Sequence, residues 1–531
     1  MNVSRTALLV GACLSAPFLP ASTATATIAP ATASAVIPAA VAATAPAPAA
    51  APTGSCGGRP SDFDGDGLPD LAVAAPYESV AGHARAGSVT IMYGSGQQAR
   101  LSQATPGVPG DPENGDSFGS ALAVGDFDGD GCADLAVGVS EEFFGTPVPG
   151  SDGHGAVQLF HGSPRGLVPG RQLSSSRPGS DRYGAALAAG DLDGDRADEL
   201  VIGAPAMGAG GTVVVHGFKG RARYRITQRG LRQTGLVTDQ FGAALTTGDF
   251  DGDGKDEIAI GAPADTVRLD GQGSVTVVDP RARRAVQYTQ SSPGVKGAAE
   301  KWDAFGAALA AADFDADGRD ELAIGVPGEG LSANQRAMDY GDGMVHVRYG
   351  TGRWEAWTQR LLKGTPRYYD RFGAALAAGD FNGDGDAELA VGVPGENSVQ
   401  VLAGARKGGL ARHGDVLIKG RGRDFGASLS TLAVGGRYRT LSAATGGVRG
   451  LTVKGRTVKG RTVKGRTVKG RSIKGRGVKS GGVDGLVVAA PGTGVVTYVP
   501  GSRRPGPYHG LRPSRARTLA SGDGLFGYAF G

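Results

Sequence analysis

One nine-residue phrase constrains what this chain can fold into. Asp62-Phe-Asp-Gly-Asp-Gly-Leu-Pro-Asp70 returns in five variants, at Asp126–Asp134, Asp191–Glu199, Asp249–Glu257, Asp313–Glu321 and Asp380–Glu388. Successive copies start 64, 65, 58, 64 and 67 residues apart. A period of this kind marks one supersecondary unit that cannot bury its apolar faces alone and stacks on its neighbours. Each phrase runs into a short apolar stretch closed by a turn, such as Leu389-Ala-Val-Gly-Val-Pro394. At that length, with its β-branched residues, the stretch reads as a buried strand rather than a helix. Glycine supplies 92 of 531 residues and aromatics 6%, which suits many turns and short strands and excludes an all-helical bundle.

A second phrase precedes five of the six copies, its aromatic residue always eight positions before the first Asp: Phe118-Gly119, Tyr183-Gly184, Phe241-Gly242, Phe305-Gly306 and Phe372-Gly373. Each unit is therefore strand, acidic loop, strand and two less regular strands, the make-up of a four-stranded propeller blade. A seventh unit starts at Phe425-Gly426, and its Pro-terminated strand, Leu486 to Pro491, follows only after a long insertion. The first unit lacks an aromatic-Gly phrase, whereas the chain ends in Leu525-Phe526-Gly527-Tyr528-Ala529-Phe530-Gly531. The expectation is an all-β, seven-bladed β-propeller of four-stranded antiparallel blades, the C-terminal strand completing blade one and removing an exposed sheet edge.

The acidic loops point to a hard cation. Positions one, three, five and nine offer side-chain oxygens, position seven a backbone carbonyl, and a Gly at position six permits the left-handed turn; Ca2+ takes six to eight such oxygens. The candidate ligands are Asp62, Asp64, Asp66, Leu68 and Asp70; Asp126, Asp128, Asp130, Cys132 and Asp134; and Asp191, Asp193, Asp195, Ala197 and Glu199. The later copies offer Asp249, Asp251, Asp253, Lys255 and Glu257; Asp313, Asp315, Asp317, Arg319 and Glu321; and Asp380, Asn382, Asp384, Asp386 and Glu388. These loops hold 27 of the chain's 51 acidic residues, which would repel one another strongly without a cation. Loop three carries Arg196 where Gly is expected and should bind weakest; in unit seven Ala433 stands at the first ligand position. About five Ca2+ sites are expected, six if loop three fills.

The units resemble the FG-GAP repeats of integrin α-subunit propellers, through the Phe-Gly phrase, the Asp-x-Asp-x-Asp-Gly loop, and Gly-Ala-Pro at Gly203-Ala204-Pro205 and Gly261-Ala262-Pro263. The resemblance covers residues 58–436 and 483–531; unit two departs from it with Ser140 in place of Pro. It implies calcium loops between the first and second strands of the blades, on the face opposite the usual partner-binding face.

Residues 1–26 read as a signal peptide, a basic start through Arg5 followed by the apolar run Ala7–Ala12, so the mature protein is expected to be secreted. Cys13 is a discarded signal-peptide cysteine or, as the alternative, a lipid-acylation site. Residues 27–57, rich in Ala, Thr and Pro, read as a flexible leader. Of the remaining cysteines, Cys56 and Cys132, an even count in an oxidising compartment favours one bridge, two free thiols being the alternative. Residues 437–482 are a basic low-complexity insertion: from Lys454 to Lys479 there are eleven Lys or Arg and no acid, and removing these turns a net charge of +4 into −7. Its five-residue period matches neither helix nor strand, and it reads as a tolerated tandem expansion, a polyanion contact or a segment docking on the acidic loops.

Gly115-Asp116-Ser117-Phe118-Gly119 fits the Gly-x-Ser-x-Gly pattern of serine hydrolases, but Ser117 only fills the slot before the aromatic-Gly phrase, and no strand-to-helix elbow is expected there. The histidines lack zinc-site spacing. The reading is thus a monomeric, secreted, calcium-binding binding or adhesion module whose partner is an extracellular protein or glycan. Its partner contacts include the long loops Glu141–Asp152 and Gly328–Gly341. The alternative is an extracellular hydrolase or lyase with a site at the propeller axis, which would need convergent His, Tyr or acid side chains there.

Overall fold

The computed structural model describes Cys56 and residues 60–144, 153–175, 179–217, 223–330, 341–420, 422–434, 483–503 and 511–521. The signal peptide, the leader apart from Cys56, the basic insertion, the closing strand at 525–531 and most of the two long loops fall outside these residues.

The chain is a seven-bladed β-propeller with only three-residue 3-10 turns for helix among the described residues. Blade 2 shows the plan: Phe118–Gly125, Asp134–Val139, Ala156–His161 and Val168–Ser174 pair antiparallel in chain order. Blades 3 to 7 repeat it, their second strands being Glu199–Ala204, Glu257–Ala262, Glu321–Val326, Glu388–Val393 and Val483–Ala490. Blade 1 shows three strands, Leu71–Ala75, Ser88–Met92 and Gln98–Leu101, the second to fourth of the unit. The first strands of successive blades neighbour one another, which places them at the axis.

Why the second strands read as unbroken apolar runs becomes clear in the packing. Side chains alternate between faces along a strand, and here both faces are covered by other blades. In blade 4, Ile258 and Ile260 pack towards blade 3 with Val201 and Val213, while Ala259 packs towards blade 5 with Leu322 and Ile324. Seven such clusters fill the seven junctions; the last joins Leu71 and Val73 of blade 1 to Val487 and Leu519 of blade 7, so packing closes the ring.

The two glycine phrases meet across these junctions. Gly242, which follows Phe241, has φ +91°, and a Cβ on Gly203 of the preceding blade would stand 2.1 Å from the Gly242 carbonyl oxygen. Only glycine fits both positions, one for its dihedral and one for its clearance. The aromatic partner, Phe241, is buried in the same junction.

Candidate metal centres

Loops two to six lie between the first and second strands of blades 2 to 6, loop one leads into Leu71–Ala75 of blade 1, and all six share one hydrogen-bond frame. At position one, a carboxylate oxygen accepts the backbone N–H of position six: Asp62 from Gly67 (2.9 Å), Asp126 from Gly131 (3.0 Å), Asp249 from Gly254 (2.9 Å), Asp313 from Gly318 (3.0 Å) and Asp380 from Gly385 (3.0 Å). Asp191 accepts from Arg196 at 2.9 Å, so loop three keeps the frame, with a side chain held at φ +78°. A non-glycine residue in that region is strained. The position-seven residues Leu68, Cys132, Ala197, Lys255, Arg319 and Asp386 donate their N–H groups back to position five, at 2.7–3.2 Å.

The acid at position nine opens the second strand and is buried. One of its oxygens accepts the N–H of position two: Asp70 from Phe63 (2.7 Å), Asp134 from Phe127 (3.0 Å), Glu199 from Leu192 (3.0 Å), Glu257 from Phe250 (3.0 Å), Glu321 from Phe314 (2.8 Å) and Glu388 from Phe381 (2.9 Å). Buried oxygens without a hydrogen-bond partner remain at Asp62 Oδ1, Asp315 Oδ1 and Glu321 Oε1, and at Glu257 Oε1, which has only the Arg281 guanidinium 3.8 Å away. An orphaned buried carboxylate oxygen costs more than its neighbours return unless a positive charge meets it. Burial, reinforced by adjacent carboxylates, pushes Asp70, Glu199 and Glu257 up to about 7, Glu321 to about 8 and Glu388 to about 9.

Several of the expected ligands are brought together: within each of the trios Asp62, Asp64, Asp66; Asp126, Asp128, Asp130; Asp191, Asp193, Glu199; and Asp249, Asp251, Glu257, the donor oxygens lie within 4.8 Å of one another. These oxygen-only groups suit a hard divalent cation. The loops differ in their extra partners. In loop two, His161 Nδ1 stands 3.5 Å from Asp128 and 3.6 Å from Asp134, and the two carboxylates hold the imidazole above its usual range. In loop four, the Arg281 guanidinium meets Asp253 at 3.0 Å and approaches Glu257 at 3.8 Å. In loop six, Asn382 donates its amide to Glu388 Oε1 at 2.6 Å. Unit seven has Ala433 paired with Asp484 where the loop would begin, and Gly485 where the ninth-position acid would stand.

Sequence reasoning missed the residue at position eight. Its N–H donates to the carbonyl of position one in the preceding blade throughout: Ala133 to Asp62, Asp198 to Asp126, Asp256 to Asp191, Asp320 to Asp249, Ala387 to Asp313 and Asp484 to Asp380. Where it is Asp198, Asp320 or Asp484, its carboxylate also accepts the N–H of that same first ligand, at 2.8, 3.1 and 2.9 Å. Each position-one Asp is thus gripped by the next blade. Asp484 persists in blade 7 although that blade has no acidic loop of its own. The signal was visible as a recurrent Asp at position eight, but nothing in the spacing says that it faces the neighbouring blade.

Cys56 and Cys132 form a disulfide, Cα to Cα 4.7 Å, which fastens the segment before blade 1 to loop two. At the opposite ends of the second strands, a Gln of one blade donates to a buried acid of the next: Gln103 to Glu142 and Gln290 to Glu329, both at 2.6 Å. Burial lifts both acids to about 8. Ser117 is buried, and its hydroxyl donates to the Gly115 carbonyl at 3.0 Å. The six first strands described carry no His, Tyr, Asp or Glu.

FG-GAP repeats match residues 118–160, 241–278, 305–347 and 372–409, and an FG-GAP-like repeat matches 62–137. The third unit, with Tyr183 for Phe and Arg196 for Gly, lies outside these spans. Integrin alpha pat-2 of Caenorhabditis briggsae is 30% identical over 257 residues, 44% of this chain and 20% of that one. Integrin alpha-PS2 of Drosophila melanogaster is 35% identical over 157 residues, 27% of this chain and 11% of the other. Phosphatidylinositol-glycan-specific phospholipase D of Rattus norvegicus is 38% identical over 167 residues, 28% and 18% of the two chains. The chain therefore spans a fifth or less of the length of these relatives. Among solved structures, the exotype rhamnogalacturonan lyase YesX gives a TM-score of 0.34 at 16% identity over 65% of this chain and 61% of that one, too distant to bear on activity.

Proposed function

We propose, for a chain that carries FG-GAP repeats in an integrin-α-like propeller, that it is a secreted, calcium-stabilised binding or adhesion module. The observation that carries this reading is the pairing of buried, unpartnered carboxylate oxygens in the loops with the grip of the next blade on each first ligand. A cation held by Asp249, Asp251, Asp253 and Glu257, or by the equivalent residues of another loop, would neutralise the carboxylates and steady the very residue that the neighbouring blade holds. When bound, Ca2+ supplies charge neutralisation rather than chemistry. The first five loops and loop six would then act as ties between blades, about five of them filled. Loop three, strained at Arg196, is the weakest.

A binding role is favoured by the axis, where the six described first strands offer mostly small, apolar or hydroxyl side chains. Partner contacts fall to loops on the face away from the metals, for an extracellular protein or glycan, and the basic insertion offers a contact for polyanions. No described helix is long and apolar enough to cross a membrane. The test is calorimetric calcium titration of the protein after chelation, with thermal unfolding followed in parallel. About five sites with a marked rise in melting temperature support the reading; heat-silent titration with an unchanged melting temperature rejects it.

A further inference from the structure

Beside loop four, at the junction of blades 4 and 5, lies a cavity of about 240 Å³ into which three arginines converge: Arg284, Arg319 and Arg348. Among the described residues none of the three forms an ion pair. Two have other contacts. Arg348 lies over the Tyr288 ring, 5.0 Å from its centroid, and Tyr288 is in turn braced edge-on by Trp354 at 5.3 Å. The exposed Arg319 side chain lies against Gly252 and Gly350, and a Cβ on either glycine would come within 2.9 Å of it. A guanidinium braced as that of Arg348 is loses little freedom on meeting a ligand, and the forked donors of all three match oxyanions.

The other side of the cavity is acidic, formed by Asp251, Glu257 and Asp279. Three carboxylates against three guanidinium groups leave the lining neutral. Asp279 is spent on its own turn, accepting the N–H groups of Arg281 and Ala282 at 2.9 Å. Asp251 and Glu257 are the loop-four ligands of the reading above. A divalent cation on them would cancel both charges and leave the arginines opposed by Asp279 alone.

We propose that this cavity is an oxyanion site gated by the loop-four cation: a carboxylate or sulfate group enters beside the arginines once the cation is bound. The volume falls just under the usual range for ligand pockets, so the site takes a single anionic group rather than an extended molecule. The inference rests on the calcium reading for its gating and on the arginines for its anion. By linkage the anion must also tighten the cation by the same factor.

The test is calorimetric titration of sulfate and, separately, of glucuronate into the whole protein, calcium-loaded or dialysed free of metal, with calcium stoichiometry measured independently. One anion per chain, bound at least tenfold more tightly in the calcium form and lost in both Arg319→Gln and Arg348→Gln, is the expected result; whichever probe binds identifies the oxyanion. Arg284→Gln, at an exposed strand end, guards against misfolding of the other two and should weaken binding severalfold, while Arg360→Gln on another surface should not. Equal affinity in all four variants, or no binding by a protein shown to hold calcium, overturns the site. Arginine-dependent binding by a protein that takes up no calcium leaves the anion site standing and removes the gate along with the calcium reading.

Discussion

The Asp198 carboxylate accepts the backbone N–H of Asp126 at 2.8 Å, across the junction from blade 3 to blade 2, while the Asp198 N–H donates to the Asp126 carbonyl at 2.9 Å. A residue of one blade thus fixes both backbone polar groups of the position-one Asp in the blade before. Replacing Asp198 by Ala leaves the part-buried Asp126 N–H without its acceptor, at a loss of about 1 kcal/mol. The expected outcome is a lower melting temperature by calorimetry together with weakened calcium binding at one site, with Asp320→Ala behaving alike. A variant that melts with the parent and binds calcium normally would show the grip to be idle.

Asp251→Ala removes a loop-four oxygen without touching the frame bonds made by Asp249 and Glu257. Calcium stoichiometry by titration or elemental analysis should fall by one, with the remaining sites unaffected. An unchanged count speaks against loop four as a cation site.

Glu142 and Glu329 give a pH dependence separate from the acidic loops. Burial raises both in the folded state to about 8, well above the carboxyl's ordinary value, so the native protein keeps protons that the unfolded chain releases. Folding stability contributed by these groups is complete below the unfolded pKa near 4.3 and is lost as pH rises towards 8. Glu329→Gln keeps the shape and a donor for its neighbours without the ionisation. It should be destabilised less than the parent between pH 5 and pH 8 in urea unfolding; parallel pH profiles would contradict the assignment.

Reducing the Cys56–Cys132 bridge, or Cys56→Ser, opens a loop closed by residues 76 apart and should lower stability by about 2–5 kcal/mol. Alkylation before and after reduction, read by mass spectrometry of the two peptides, reports whether the thiols are paired; ready alkylation of both without reductant would mean they are not.

The blade plan was legible because two constraints write themselves into composition: alternate burial on both faces makes the second strands apolar throughout, and left-handed turns call for glycine at fixed places. Hence Phe241-Gly242 and the run after Glu257 announced their strands. The acidic loops announced themselves for the same reason, since few arrangements need oxygens at positions one, three, five and nine. What spacing could not convey is what lies across a junction. Asp198, Arg281 and His161 each act on a loop from a separate segment of the backbone. The convergence of Arg284, Arg319 and Arg348 likewise depends on two blades meeting, and no one-dimensional period reports it.

The alternation of Ile258 and Ile260 towards one neighbour and Ala259 towards the other has a consequence for how the protein comes apart. No blade owns a core: every apolar cluster is half one sheet and half the next, so a blade released alone would strip two junctions and gain no compact state in return. Unfolding should therefore spread around the ring as one event rather than sheet by sheet, and a proteolytic fragment ending inside any blade would carry away an uncovered face.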